Sequence, residues 1–431
     1  MSTAHIYLKD DEIADFVQET KNETQYFYGQ EGYEYGVCPY ISFYVFHDQK
    51  KFLSVANAAI DILDELKNMA DLPFASVCNP KTANWVVPTD ANMSLEYLRK
   101  QAIWHHENKE LFILGATDMD GPECSACWAF SSYTSRVASS YYSFVKITFR
   151  DSWYQKNKSI WNDFVLRCIS RLQPEHCYSG YEIGTTTMSV FGAYESDVME
   201  RICADYFYGV DIDHPPKMDY HARNSEDGWA PRTKLGGGLR TPTWCFMLSP
   251  YWRKKLGKSV SEVKQALSHP DIHIIEIPYA SAEGGADDVG LWIRMGELSL
   301  YPVEEGVPEL LTLGSALIKP IRCDLLQLFT LHPWEGDPNP RFDFENGPLW
   351  MARFDPDSQW PTPSARAPMK FSPTGDDLRC PAGAACPRSG IWWTPADSNA
   401  RRAFLQGEEM PDFPESTYGA TIWYRESEQR S

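Results

Sequence analysis

Tyr40-Ile41-Ser42-Phe43-Tyr44-Val45-Phe46, followed by Phe52, Val55, Ala56, Ala59, Ile60, Leu63 and Leu66 at spacings of three and four, decides the fold class. The first run is aromatic and β-branched, the composition of a strand. The second is the apolar stripe of an amphipathic helix, with Asp61, Asp64, Glu65 and Lys67 largely outside it. The pattern returns about 100 residues on. Val145, Ile147 and Phe149 alternate as a strand, and Ile160, Trp161, Phe164, Val165, Cys168, Ile169 and Leu172 follow as a helical stripe. Two strand–helix units predict an α+β fold of two related α/β halves, with mixed or antiparallel sheets flanked by helices.

Further strands are expected at Leu111–Leu114, from Cys127 to Phe130, at Trp244–Leu248, Ile272–Ile277 and along Val289, Leu291, Ile293 and Met295. Helices are expected at Ser196–Tyr206, Val260–Leu267 and Leu310–Leu317, and Gly284-Gly285 with Asp287-Asp288 marks a turn. Prolines then crowd from Pro333 to Pro387, which makes that stretch extended and irregular. Its Trp334, Phe342, Phe344, Trp350, Phe354, Trp360 and Phe371 would be unnecessary in a free linker, so the stretch is expected to wrap over a folded surface. Strands at Ser389–Thr394 and Gly419–Tyr424 belong to a small, irregular, β-rich C-terminal module. The expected organisation is an N-terminal half over 1–138, a second half over 139–331, a Pro/aromatic connector over 332–375 and a Trp-rich module over 376–431.

A chain of 431 residues exceeds what one core usually serves, and its 14% aromatic share supplies stiff contact area for cores and interfaces. The net charge is −19, with 20 acidic and 9 basic side chains in residues 1–134 and 39 against 31 in the rest. Nucleic-acid binding rests on basic residues that displace counterions, so direct nucleic-acid contact is disfavoured, as is an anionic membrane. A basic protein is a favoured partner. The opening residues lack the basic stretch and apolar run of a signal peptide, and no apolar run approaches a bilayer span. The 11 scattered cysteines do not read as a disulfide framework, so the cytoplasm is the expected location.

Templates for chemistry are mostly unmet. Leu235-Gly236-Gly237-Gly238-Leu239-Arg240 lacks the Lys-Ser/Thr pair of a phosphate loop and reads as a turn where backbones approach closely. Cys124-Ser125-Ala126-Cys127 near His105-His106 has the spacing of half a zinc site, but no second such pair closes it. Cys380 with Cys386, and Cys168 with His176 and Cys177, are equally incomplete. No Gly-x-Ser-x-Gly elbow is present. The expectation is a binding protein without catalytic residues, metal or cofactor.

Two acidic segments remain. Glu195 to Asp227 carries Asp211, Asp213, Asp219, Glu226 and Asp227 among nine carboxylates, against Arg201, Lys217 and Arg223. Glu283 to Glu309 carries Glu283, Asp287 and Asp288 among seven, against Arg294 alone. Such carboxylates can oppose the basic groove of a nuclease, standing in for phosphates; a merely solvated face is the ordinary alternative.

Ser179-Gly180-Tyr181-Glu182-Ile183-Gly184, Tyr206-Phe207-Tyr208-Gly209-Val210-Asp211-Ile212-Asp213, Thr243-Trp244-Cys245-Phe246-Met247-Leu248-Ser249-Pro250 with Lys255-Leu256-Gly257, and Trp292-Ile293-Arg294-Met295-Gly296-Glu297 stand in that order. Together they resemble the type VI secretion immunity family of Gram-negative bacteria, except that Ser299 and Leu300 stand where a proline often comes. Cys386-Pro387-Arg388-Ser389-Gly390-Ile391-Trp392-Trp393, Arg401-Arg402, Gly407-Glu408-Glu409-Met410-Pro411 and Tyr418 to Trp423 resemble a small module found in other toxin–immunity loci. Its tryptophans and arginines can stack by cation–π contact or form a recognition surface.

The resemblance implies an immunity protein whose partner is a cognate effector toxin acting in the cytoplasm, with a nuclease favoured by the charge. Its toxin-binding candidates are Asp211, Asp213, Asp219, Glu226, Asp227, Glu283, Asp287 and Asp288. Trp244 and Trp292 read as core anchors rather than toxin contacts. An effector adaptor or chaperone shares the binding property, an enzyme would need His105, His106 and Cys127 to converge, and a homodimer is left open.

Overall fold

The structure, a computed structural model, describes residues 10–22, 27–28, 35–47, 49–120, 125–135, 142–184, 196–215, 238–280, 288–323, 342, 346–361, 379–394, 396, 400–413 and 421–425. It divides into two compact units, Met1–Ser364 and Ala365–Ser431.

The larger unit begins with α1 (Asp10–Asn22), β1 (Phe27–Tyr28), β2 (Tyr35–Phe46), α2 (Phe52–Met69), β3 (Ser76–Cys78), β4 (Trp85–Val86), α3 (Leu95–Asn108), β5 (Phe112–Thr117) and β6 (Ala129–Thr134). It continues with β7 (Tyr142–Thr148), α4 (Asp151–Lys156), α5 (Lys158–Leu172), β8 (His176–Gly184), α6 (Ser196–Tyr206), β9 (Val210–Asp211) and β10 (Cys245–Leu248). It ends with α7 (Pro250–Leu256), α8 (Val260–Ala266), β11 (Ile272–Pro278), β12 (Val289–Met295), α9 (Glu309–Ile318) and α10 (Asn346–Met351). The fold is α+β, as expected.

One sheet carries the whole unit. Its strand order is β11-β12-β10-β8-β2-β7-β6-β5-β3-β4, antiparallel throughout, with β1 beside β2 and β9 parallel to β8. The leading strands of both strand–helix units form the centre, with Ile41 opposite Ile147 and Phe43 opposite Val145. Residue 138 is therefore no spatial boundary between halves. First-half β2 lies between β7 and β8, and second-half β7 lies between β2 and β6. An antiparallel ladder needs a partner on each side of an interior strand, and each half supplies that partner to the other.

The strands of this centre have two different faces, because side chains alternate along them. Val37, Ile41, Phe43 and Val45 of β2, Val145 and Ile147 of β7, and Cys177, Tyr181 and Ile183 of β8 join one core with α2, α3 and α5. Phe52, Val55, Ala56, Ala59, Ile60, Leu63 and Leu66 are buried in it from α2, as the stripe predicts. Tyr40, Tyr44, Phe144 and Tyr178 point the other way, into a second core roofed by α7 to α10. Polar Ser42, Lys146, His176 and Glu182 share that second face.

Residues 207–213 cross this second face at close quarters. A Cβ on Gly209 would lie 2.2 Å from the Ser299 carbonyl oxygen, so glycine alone lets the chain through here. Gly238 has the same role: a Cβ there would meet the Cys323 backbone nitrogen at 2.6 Å, the close approach expected of that glycine run. The aromatic connector does wrap a folded surface where it is described. Phe342, Trp350, Phe354 and Trp360 are buried in the second core, so Phe342 and residues 346–361 pack with the larger unit.

The smaller unit is a four-stranded antiparallel sheet of β13 (Arg379–Pro381), β14 (Gly390–Trp393), β15 (Arg401–Phe404) and β16 (Ile422–Arg425), in the order β13-β16-β14-β15. Its core is Cys380, Cys386, Trp392, Phe404, Met410 and Trp423. Arg402 lies over the Phe404 ring at 4.3 Å and faces Trp423 at 5.9 Å, the cation–π arrangement its composition suggests.

Candidate functional site

The polar residues on the second face of the central strands converge with the segment that follows β9. Tyr40 and Tyr44 are two register steps apart on β2, and their hydroxyls donate to Asp211 and Asp213 respectively. Arg240 arrives from a different segment and joins the two carboxylates. Its Nη1 lies 2.8 Å from Asp213 Oδ1 and donates to the Ile212 carbonyl at 2.5 Å, while Nη2 lies 3.3 Å from Asp211 Oδ2. Its guanidinium rests 4.2 Å from the Tyr178 ring centroid. Lys146 completes the cluster, with Nζ 2.6 Å from Glu182 Oε2 and donating to the Asp213 carbonyl at 2.5 Å.

Asp211 and Asp213 are each 1% exposed, which places both in the interior rather than on an acidic loop face. This corrects their reading as carboxylates presented to a partner, for a plain physical reason. A charge removed from water needs a counter-charge and hydrogen bonds, and here Arg240, Lys146 and two tyrosines already supply them. Asp288 is part-exposed and paired with Lys254 at 3.1 Å. Asp219, Glu226, Asp227, Glu283 and Asp287 lie outside the described residues, as do the Gly284-Gly285 turn, Trp334, Phe344 and Phe371.

The electrostatics follow from burial. Burial works to raise the Asp213 carboxyl, but Arg240, Lys146 and the Tyr44 hydroxyl outweigh it and leave its pKa lowered. Burial works against the Arg240 cation, and Asp211, Tyr40 and Asp213 more than restore it. Glu182 ends differently: burial pushes its carboxyl up to about 8 despite Lys146, with Asp213 and Glu200 adding in the same direction. A carboxyl raised in this way favours the folded state fully below its unfolded value of 4.5, and that contribution is lost as pH rises through 8. Glu182→Gln is therefore expected to flatten the stability profile between those limits, where the wild type loses up to about 1.4 kcal/mol per pH unit. Urea midpoints at pH 5 and 8 check this; parallel profiles for both proteins would mean that Glu182 stays ionised against Lys146.

A neutral relay adjoins the ions. The Trp252 indole donates to His176 Nε2 at 2.9 Å, which puts the ring proton on Nδ1, 3.0 Å from the Tyr178 hydroxyl. That hydroxyl also accepts from the Arg240 backbone at 3.1 Å. Farther along, His214 Nε2 meets Glu200 Oε1 at 2.8 Å, and Arg322 holds Asp355 with two contacts of 2.8 and 2.9 Å. The arrangement ties residues 210–214 and 239–241 to the central strands. Sequence reasoning missed Tyr40, Tyr44, Lys146, Glu182 and Arg240; the signal was polar alternation at Tyr40-x-Ser42-x-Tyr44 and His176-x-Tyr178-x-Gly180-x-Glu182 opposite apolar positions.

The other candidates occupy separate surroundings. The His105 ring lies 2.9 Å from the Pro80 carbonyl and packs on Phe112, while His106 packs on Phe52. Burial pushes the Cys127 thiol up to about 11, which keeps it protonated at neutral pH. Cys124 lies outside the described residues. Among the described residues no group of three or more His, Cys, Asp or Glu is placed to hold a metal, and no helix is long and apolar enough to cross a membrane. Trp244 and Trp292 are buried, as core anchors should be.

No protein-family model matches the chain, and no curated protein does. Among solved structures, it is similar to the Pseudomonas aeruginosa T6SS protein PA0821, with a TM-score of 0.62 at 16% identity. The match covers 82% of this chain and 93% of that one. At this identity the likeness is one of fold, and it extends over nearly the whole of that protein.

Proposed function

We propose that this protein is a type VI secretion immunity protein that binds a cognate effector toxin in the cytoplasm and occludes its active site. The observation that carries the reading is the fold shared with a T6SS protein over 82% of the chain. The order of the four motif stretches between Ser179 and Glu297 supports it from the sequence side. The net charge of −19 favours a toxin with a basic groove, a nuclease before other cytoplasmic enzymes. With Asp211 and Asp213 inside the protein, the toxin-binding candidates that remain are Asp219, Glu226, Asp227, Glu283, Asp287 and Asp288. Opposite fields of this kind raise association rates more than they deepen final affinity.

Co-expression with the toxin encoded beside this gene tests the proposal, scored by survival and co-purification. Rescue with a stable complex is the expected result. Reversing Glu283, Asp287 and Asp288 to lysine should then slow association about tenfold or more at low salt and leave the fold intact. Co-purification while cells still die would replace the reading with an adaptor that carries the effector to the secretion machinery. Neither rescue nor complex would overturn the immunity reading.

A further inference from the structure

Arg353 is wholly buried, yet among the described residues no carboxylate pairs with it. Its guanidinium lies 3.9 Å from the Trp350 ring centroid and 4.5 Å from that of Phe354. Nη1 donates to the Trp350 carbonyl at 2.9 Å, but Nε and Nη2 are buried donors without an acceptor. Two further donors in the same interior share this condition, Trp350 Nε1 and Arg240 Nε. The segments that carry them run together, since the Thr241 hydroxyl donates to the Met351 carbonyl.

The nearby carboxylates are already committed. Asp211 and Asp213 hold Arg240 and the two tyrosines, and Asp355 holds Arg322. Asp355 is shared with Lys319 as well, so no carboxylate among the described residues is left for Arg353. Burial pulls the Arg353 guanidinium down to about 9, which still leaves it charged at pH 7. Buried donors left without acceptors are costly, and a guanidinium edge is suited to a halide or to two oxygens of an oxyanion.

We propose that the interior beside Arg353 binds one small anion, of halide or oxyanion chemistry, through the Arg353 edge together with Trp350 Nε1 and Arg240 Nε. The anion supplies the acceptors these donors lack and a counter-charge for Arg353. It thereby fastens the aromatic connector to the central strands. This site is independent of any toxin contact.

Thermal unfolding of the full chain tests it, with sodium gluconate exchanged for sodium chloride, bromide or phosphate at constant ionic strength. A saturable rise in Tm of several degrees is expected for the wild type and should be absent in Arg353→Met. Surface Arg167→Met should keep the rise. A response to chloride and bromide alone identifies a halide site, and one to phosphate alone an oxyanion site. An unsaturable response, or the same response in Arg353→Met, overturns the proposal. If Arg353→Met does not fold, crystals of the unaltered chain in bromide decide. An anomalous peak at hydrogen-bond distance from Arg353 supports a halide site, and in phosphate-grown crystals tetrahedral density there supports an oxyanion. Water alone at Arg353 in both crystals refutes either.

Discussion

Arg240→Met is expected to lose about 3–5 kcal/mol of folding stability, the usual penalty for leaving buried charge uncompensated. The methionine fills much of the space but leaves Asp211 and Asp213 with tyrosine hydroxyls and, for Asp213, Lys146 as partners. Urea denaturation measures the loss as a fall in midpoint at unchanged slope. Arg167→Met, which removes an exposed ion pair with Glu65, is expected to change stability by less than about 1 kcal/mol. Neutralising both carboxylates in the Arg240→Met background should recover part of the loss, since the three side chains act as one network. A loss no larger than that of Arg167→Met would show that this network does not hold residues 210–214 in place.

Trp392→Ala should melt the smaller unit while the larger one stays folded. The tryptophan is fully buried in a core of six residues, and large aromatic truncations cost about 3–5 kcal/mol. A unit of this size has little more than that to lose. Limited proteolysis is expected to remove the C-terminal region from the variant and leave a resistant body, and the far-ultraviolet signal should lose only a small β component. Trp393→Ala, on the exposed neighbour, should leave the unit intact. Wholesale precipitation of Trp392→Ala would instead show that the larger unit depends on the smaller for its own folding. The same pair of variants, carried into the co-expression assay, separates a bracing role of this unit from a recognition role.

Elements with a clean period were legible in the sequence. The stripe from Phe52 to Leu66 became α2, the helix expected at Ser196–Tyr206 has those same limits as α6, and the alternation from Val289 to Met295 became β12. Helix α3 escaped because only Leu98, Ala102 and His105 are buried along it, too narrow a stripe to register. Helix α7 was missed although Ser249-Pro250 opens it and Gly257, at a φ of +69°, closes it. The short strands β3, β4 and β9 are too brief to show any period. At the candidate site the charge pattern misled. Counting neighbours along the chain made Asp211 and Asp213 look unpaired. Their partners are Arg240, Tyr40, Tyr44 and Lys146, all distant in sequence, the last three brought together by strand order and Arg240 by the segment that leads to β10.

That strand order also governs when the chain can fold. Strand β2 leaves a ribosome well before its two long-range neighbours, β7 and β8. Beyond the two residues that β1 pairs, neither edge of β2 can be satisfied until residues 142–148 and then 176–184 have been synthesised. Through that interval an apolar, aromatic strand stands with both hydrogen-bonding edges open, a state prone to non-native pairing. Dense acidic charge in residues 1–134 surrounds it during the wait, and like-charged nascent chains repel one another. The carboxylates that flank β2 in sequence thus work against such pairing between nascent chains, whatever they later contribute to meeting a partner.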